Sequence, residues 1–286
     1  MAMRCKLFVP GSRPELFAKA MASPADALSF DLEDSVDETK KDVARDELAK
    51  FFRTLPPNPG KVIIVRVNAL STAHGRADLE AIVGPWLDMV NQPKPEGPDD
   101  VREFAAVLAE VERGKNATPG ILANIETPRS LRLAAEIATA SPRVVGLQIG
   151  WGDLIEAMDM DRYNPPVIEA IQLAVRVAAG EAGIFAYDGA FANIKDPEAY
   201  RREAQSARRL GYLGKSAIHP TQVPIANEVF RPTDAEIAHA QKVVEAARLA
   251  GEQGVGAYTV NGRMVDIPFV KSAERVLALA QKLGLS

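Results

Sequence analysis

The chain has 286 residues, 47% of them apolar and 25% charged, with a formal net charge of −4. This suits one large globular domain or two small ones, and the acidic balance argues against general nucleic-acid binding, which favours a basic face. Cys5 is the lone cysteine, which excludes an intrachain disulfide and a cysteine-based zinc site and fits a reducing, cytoplasmic compartment.

The apolar run at the N-terminus is too short for a signal segment and is broken by Pro10. No stretch reaches the ~18 apolar residues of a membrane span. From there, short apolar or β-branched runs alternate with longer helical patterns. Strands are predicted at 6–9, 27–32, 62–67, 86–91, 120–125, 144–149, 183–187 and 212–218, and helices at 40–52, 98–113, 128–139, 166–179 and 197–210. Several helices open with proline in the first turn, where its missing N–H costs nothing. The strands read as near-continuously apolar, as expected when both faces are covered. Alternation of this kind predicts an α/β fold, a (β/α)8 TIM barrel over residues 1–228. An open doubly wound sheet would usually carry a glycine-rich first turn, and none is present.

Residues 229–286 break the pattern. A helix at 234–249, a glycine-rich stretch, a small hairpin around Asn261-Gly262 and a last helix near 268–283 form a helical/hairpin extension. It is too short for a core of its own and is expected to pack as a lid on the barrel or on a neighbouring subunit.

In a barrel, functional groups collect where strands end. Those ends hold Pro10-Gly-Ser-Arg13, Asp31-Leu-Glu33-Asp34, Arg66-Val-Asn68, Lys94, Glu126, Asp153, Asp188, and Lys215 with His219. Glu126 and Asp153 each close a hydrophobic run at successive strand ends. Two hard oxygen ligands on rigid elements suit Mg²⁺, which keeps positions open for water and substrate. Either carboxylate could instead serve the N-terminus of the helix that follows it. Arg66 could pair with the acidic cluster 31–34 or form a fork for a substrate carboxylate. Glu33 and Asp34 are read as holding basic neighbours or waters around the metal. A calcium loop at 31–38 lacks its glycine. Lys94 or Lys215 as a Schiff-base lysine would need a desolvated amine, which the acidic rim opposes. His219 reads as structural.

The ordered set Leu7-Phe-Val-Pro-Gly-Ser-Arg-Pro, Asp31-Leu-Glu-Asp-Ser-Val, Arg66-Val-Asn, Pro93-Lys, Ile125-Glu-Thr-Pro, Gly150-Trp-Gly-Asp-Leu, Gly214-Lys-Ser-Ala-Ile-His-Pro and Gly262-Arg-Met-Val-Asp resembles the citrate lyase β-subunit-like family. That family lies in the HpcH/HpaI aldolase superfamily, beside malyl-CoA and citramalyl-CoA lyases. The resemblance implies a homotrimeric barrel with Mg²⁺ on Glu126 and Asp153. It implies that Arg66 contacts oxygens of a 2-oxo acid, and that Phe8, Arg13 and Lys19 hold a coenzyme A thioester. It also implies that Asp266 reaches from the lid into a neighbouring subunit's site as the proton-transfer group; the residues alone would make it the cap of the last helix. Gly152 stands where relatives often carry an acid.

The expected activity is cleavage or formation of a 3-hydroxyacyl-CoA thioester, giving an acyl-CoA and a 2-oxo acid. Two alternatives stand beside it. One is the β subunit of a citrate lyase complex, working on a thioester borne by an acyl-carrier protein. The other is a coenzyme A-independent 2-oxo acid aldolase.

Overall fold

The computed structural model describes residues 2–252 and 256–285. Part of the glycine-rich stretch expected after the helix at 234–249 lies outside them. Eight parallel strands build the frame: β1 (Cys5–Pro10), β2 (Ala27–Asp31), β3 (Val62–Arg66), β4 (Met89–Gln92), β5 (Gly120–Ile125), β6 (Val144–Ile149), β7 (Phe185–Tyr187) and β8 (Lys215–Ala217). Their spatial order is β7-β6-β5-β4-β3-β2-β1-β8. Between β7 and β8 the backbone N–H groups of Leu213, Asp188 and Ser216 donate to the carbonyls of Ala186, Gly214 and Asp188, each at 3.0 Å. The ring closes there, and the fold is a (β/α)8 barrel.

Ten helices follow the strands around the ring: α1 (Phe17–Met21), α2 (Lys41–Phe52), α3 (Gly75–Ile82), α4 (Pro98–Val111), α5 (Pro128–Arg132), α6 (Ala134–Thr139), α7 (Trp151–Glu156), α8 (Pro165–Glu181), α9 (Pro197–Arg209) and α10 (Gln222–Val229). Proline opens α4, α5, α8 and α9 as the sequence suggests. The single helix expected over 128–139 is two, divided at Leu133, whose φ and ψ of −102° and 20° are not helical. The last two strands are shorter than predicted. Gly214, just before β8, touches the N-terminal backbone so closely that a Cβ would lie 2.1 Å from the Met3 carbonyl oxygen.

Strand parity decides what faces what. Leu7, Val9, Leu28, Phe30, Ile63, Val65, Ile121 and Ala123 join the helices in the main core. Their alternates point into the barrel. A lower plug of Met3, Ala27, Ile64, Met89, Leu122 and Tyr187 fills its base. Above it lies a buried polar layer containing Lys6, Ser29, Asn91, Asn124 and Gln148. The strands are therefore apolar toward the helices and partly polar toward the axis, a correction to the reading of near-continuous apolar runs.

Arg231 onward forms a second compact unit. It holds α11 (Asp234–Glu252), the antiparallel pair β9 (Tyr258–Val260) and β10 (Arg263–Val265), and α12 (Ile267–Lys282). Ala240, Val243, Val260, Val265 and Ala273 make its own small core, a correction to the expectation of none: two helices and a hairpin enclose enough apolar surface between them. Asn261 and Gly262 turn the hairpin with φ of 51° and 76°, as a two-residue hairpin loop requires. Among the described residues, no helix is long and apolar enough to cross a membrane.

Candidate active site at the C-terminal rim of the barrel

Register sets the neighbours. β2 and β3 pair Asp31 with Arg66, and β5 and β6 pair Asn124 with Gln148. All four are inward residues at or near strand ends, where they line a cavity of about 450 Å³ together with Phe8, Asp34, Glu126 and Asp153.

Arg66 is held by carboxylates. Its Nε donates to Asp31 Oδ1 at 2.7 Å and an Nη to Asp31 Oδ2 at 2.8 Å. The other Nη lies 2.8 Å from Glu33 Oε2 and 3.1 Å from Asp34 Oδ2. The guanidinium also sits over the Phe8 ring, 5.6 Å from its centroid. Burial disfavours its charge, but Asp31, Glu33 and Asp34 outweigh burial and raise its pKa. Burial likewise opposes the Asp31 carboxylate, and Arg66 still holds its pKa below the usual range.

Glu126 directly follows β5 and is 1% exposed. Its backbone is pinned by the first turn of α5: Ser130 Oγ accepts from the N–H groups of Glu126 at 3.1 Å and Thr127 at 2.9 Å, and Thr127 Oγ1 accepts from the Ser130 N–H at 3.0 Å. Its side chain is pinned too. Oε1 accepts the Lys94 backbone N–H at 2.8 Å, and Oε2 accepts from Asn124 Nδ2 at 3.1 Å. Asn124 Oδ1 in turn accepts from Gln148 Nε2 at 2.9 Å, and Gln148 Oε1 accepts from Lys6 Nζ. Every donor in this buried chain points toward Glu126. Gly150 makes room for the carboxylate, since a Cβ there would lie 2.2 Å from Glu126 Oε2. Burial raises the Glu126 pKa, against the pull of Arg66.

Asp153 lies in the first turn of α7, with its side chain 41% exposed. Lys94, at the tip of the loop after β4, bridges the two carboxylates. Its N–H serves Glu126, and its ammonium lies 3.4 Å from Asp153 Oδ1, 3.4 Å from Glu33 Oε1 and 3.6 Å from Asp34 Oδ1. Its φ of 44° is in the left-handed region, a local cost of the kind found at functional sites. Burial works against its charge, but Glu33, Asp34, Asp153 and Glu126 raise its pKa. A lysine held in its charged form is poorly suited to Schiff-base chemistry.

The arrangement fits a hard divalent cation. Glu126 and Asp153 offer carboxylate oxygens to one cavity. Around them Asp31 and Asp34 add negative charge, against the cations Arg66 and Lys94. That surplus is what a dication balances. Among the described residues no three His, Cys, Asp or Glu are placed to hold one metal ion together; Glu126 and Asp153 would be two ligands, with positions left for water and substrate.

Other expected residues fall elsewhere. Arg13 is exposed and paired with Glu15, and Lys19 is exposed on α1; neither lines the cavity. Lys215 and Asp188 do not face the cavity. Lys215 shares its parity with Ala217 and points into the helix layer, where its Nζ meets Asp188 Oδ2 and Glu203 Oε1, each at 2.6 Å. His219 hydrogen-bonds Thr221. Asp266 occupies the N-cap position of α12, yet its side chain caps nothing. Its Oδ1 is buried with no hydrogen-bond partner among the described residues.

The HpcH/HpaI aldolase/citrate lyase family model matches residues 4–220. The chain belongs to this family. It is accordingly a carbon–carbon lyase. It is 36% identical to citrate lyase subunit beta of Escherichia coli, an alignment covering 99% of this chain and 94% of the relative. It is 35% identical to L-malyl-CoA/beta-methylmalyl-CoA lyase of Cereibacter sphaeroides, covering 98% and 95%. Among solved structures it resembles protein CitE from Mycobacterium tuberculosis in complex with magnesium, acetoacetate and coenzyme A, with a TM-score of 0.76, 33% identity and 97% of each chain covered. It also resembles the citrate lyase beta subunit of M. tuberculosis complexed with oxaloacetate and magnesium, with a TM-score of 0.67, 32% identity, and 81% of this chain and 100% of that one covered.

Proposed function

We propose that this enzyme cleaves, or in reverse forms, a 3-hydroxyacyl-CoA thioester of the malyl, citramalyl or citryl type, using Mg²⁺. The observation that carries the reading is the convergence of Glu126, Asp153 and Arg66 on one rim cavity. The similarity to a malyl-CoA lyase and to a magnesium- and coenzyme A-bound relative supports it.

Glu126 and Asp153 would hold the ion, which when bound supplies Lewis acidity and a template for the oxygens of the 2-oxo acid fragment. Arg66, fixed by Asp31, presents its remaining N–H to a carboxylate or to a carbonyl oxygen as the carbon–carbon bond breaks. In cleavage, the hydroxyl passes its proton to solvent water as the new carbonyl forms. The electron pair of the broken bond passes to the thioester enolate, and Asp266 returns a proton to its carbon. In condensation Asp266 removes that proton instead. Phe8 offers a flat apolar wall. Arg13 and Lys19, exposed beyond the cavity, suit the phosphates of coenzyme A. The Asp266 carboxyl would come from a neighbouring copy in a homotrimer, and the enzyme would act in the cytoplasm.

The test is a panel of malyl-, citramalyl- and citryl-CoA with Mg²⁺ or with excess EDTA, products read by mass spectrometry. One thioester should be cleaved only with the metal. Cleavage unaffected by EDTA, or full activity retained by Glu126→Ala and Asp153→Ala, rejects the site. The similarity to citrate lyase subunit beta favours a second reading, action on a thioester borne by an acyl-carrier protein. Turnover of free acyl-CoA by the purified chain argues against it.

A further inference from the structure

Behind the cavity wall lies a buried ionic network that the reaction above does not use. Asp188 follows β7 and Lys215 opens β8, so the pair sits at the closing seam of the barrel, and both side chains are fully buried. Asp188 Oδ2 accepts from Lys215 Nζ at 2.6 Å. Asp188 Oδ1 accepts from Trp151 Nε1 at 2.9 Å and from the Gly189 N–H at 3.0 Å. Lys215 Nζ also donates to the Gly189 carbonyl at 3.0 Å and to Glu203 Oε1 at 2.6 Å. Arg162 completes the set with two bonds to Glu203, at 2.7 and 2.8 Å, and its guanidinium lies over the Trp151 ring at 4.6 Å. Two acids and two bases balance, as a buried network requires.

The indole of Trp151 is thus gripped at its edge by Asp188 and on its face by Arg162. Trp151 is the first residue of α7, and Asp153 stands two residues on in the same turn. Gly152 between them has no side chain to anchor. The fit on the seam side is close: a Cβ on Gly189 would lie 2.6 Å from Trp151 Cδ1 and 2.3 Å from the Ile149 carbonyl oxygen. Leu154 and Ile155 are buried on the other side of α7, and the Gly150 N–H just before it donates to the Ile125 carbonyl at 3.0 Å; the indole is the buried side chain nearest Asp153 on the seam side.

We propose that Asp188 is a positioning residue: through its hydrogen bond to Trp151 it sets the first turn of α7 and thereby aims the Asp153 carboxylate at the metal. Barrel closure and metal-ligand geometry are then one device. This rests on reading Asp153 as a metal ligand. Partners of metal ligands of this kind change metal affinity by about 10–100-fold when removed.

The test measures Mg²⁺ and Mn²⁺ dissociation constants by calorimetry on the substrate-free full-length protein, with thermal unfolding alongside. Trp151→Phe keeps the ring and its stacking but removes the N–H; it should weaken both metals by about tenfold or more with folding retained. Because Asp188 variants alone would strand Lys215, two charge-balanced doubles are compared. Asp188→Asn with Lys215→Met keeps an acceptor for the indole and should bind metal nearly as the parent does. Asp188→Ala with Lys215→Met loses the acceptor and should match Trp151→Phe. Equal affinity in the two doubles, or a Trp151→Phe constant within about twofold of the parent, overturns the proposal. Asp153→Asn separates the two claims. If it leaves metal binding unchanged, the metal-ligand reading itself fails and the proposal with it; if it abolishes binding while Trp151→Phe does not weaken it, only the positioning role fails.

Discussion

The ammonium of Lys94 lies 3.4 Å from Asp153 Oδ1 while the backbone N–H of the same residue donates to Glu126 Oε1 at 2.8 Å. One residue thus touches both candidate metal ligands, with its charge on one and its backbone on the other. Removing the charge while keeping the backbone separates these roles. Lys94→Met should bind Mg²⁺ more tightly, because a competing cation leaves the carboxylates. Without divalent ions it should be less stable by no more than about 1 kcal/mol, since the ammonium is partly exposed and water screens it. Calorimetric Mg²⁺ titration and urea unfolding in EDTA check both. Weaker metal binding would show that Lys94 supports the site in another way.

Glu33 provides a pH signature. Burial pushes its pKa up to about 7 from 4.5, with Arg66 opposing and Asp34 and Glu126 adding to the rise. The folded protein therefore retains a proton that the unfolded chain releases at lower pH. This contribution to stability is complete below about pH 4.5 and is lost as pH climbs through about 7. Glu33→Gln removes it. Between those limits the wild type should lose stability relative to Glu33→Gln, with a slope of at most about 1.4 kcal/mol per pH unit. Unfolding measured across the window without divalent ions reads the slope directly, and parallel curves would contradict it.

Lys6 starts the donor chain that ends on Glu126. Burial, with Arg66 nearby, holds its pKa well below the ordinary lysine value. The unfolded chain therefore takes up a proton that the fold resists, and stability rises with pH until the free lysine value near 10.5. Lys6→Met should lack this rise. It should also loosen Gln148 and Asn124, weakening Mg²⁺ binding through Glu126. The cost at neutral pH should be about 1–3 kcal/mol, that of leaving the Gln148 oxygen without its donor. Unfolding at pH 7 and 9.5 and a Mg²⁺ titration test the two halves separately.

Asp266 carries a buried Oδ1 with no hydrogen-bond partner among the described residues. A carboxylate that caps its own helix would not show this. Asp266→Asn should lose turnover by roughly two orders of magnitude or more, as expected for a general acid–base group, and keep acyl-CoA affinity. Mixing it with Arg66→Ala should restore activity if sites are shared between copies. No rescue at any mixing ratio would argue against a site shared between copies, and full turnover by Asp266→Asn alone would place the proton transfer elsewhere.

Much of the frame was legible along the chain. Apolar runs and proline-opened helices marked eight strands, and the strand ends named Arg66, Glu126 and Asp153 as candidates. The interior layer was not read, although its signal was present. Asn124 stands two before Glu126 and Lys6 two before Phe8, and period-two parity turns each pair to the same face. The same parity turned Lys215 outward, away from the rim where chain order alone had placed it.

Residue order by itself determined the barrel and the family. Those depend on local hydrophobic periodicity and on short motifs that need no knowledge of partners. Only the tertiary structure decided how charge is shared. Arg66 meets Asp31 because β2 and β3 pair in that register, Lys94 reaches Asp153 across a loop, and Asp188 meets Trp151 where the ring closes. Electrostatic energies follow distance and burial, and neither can be read from positions that lie tens of residues apart in the chain.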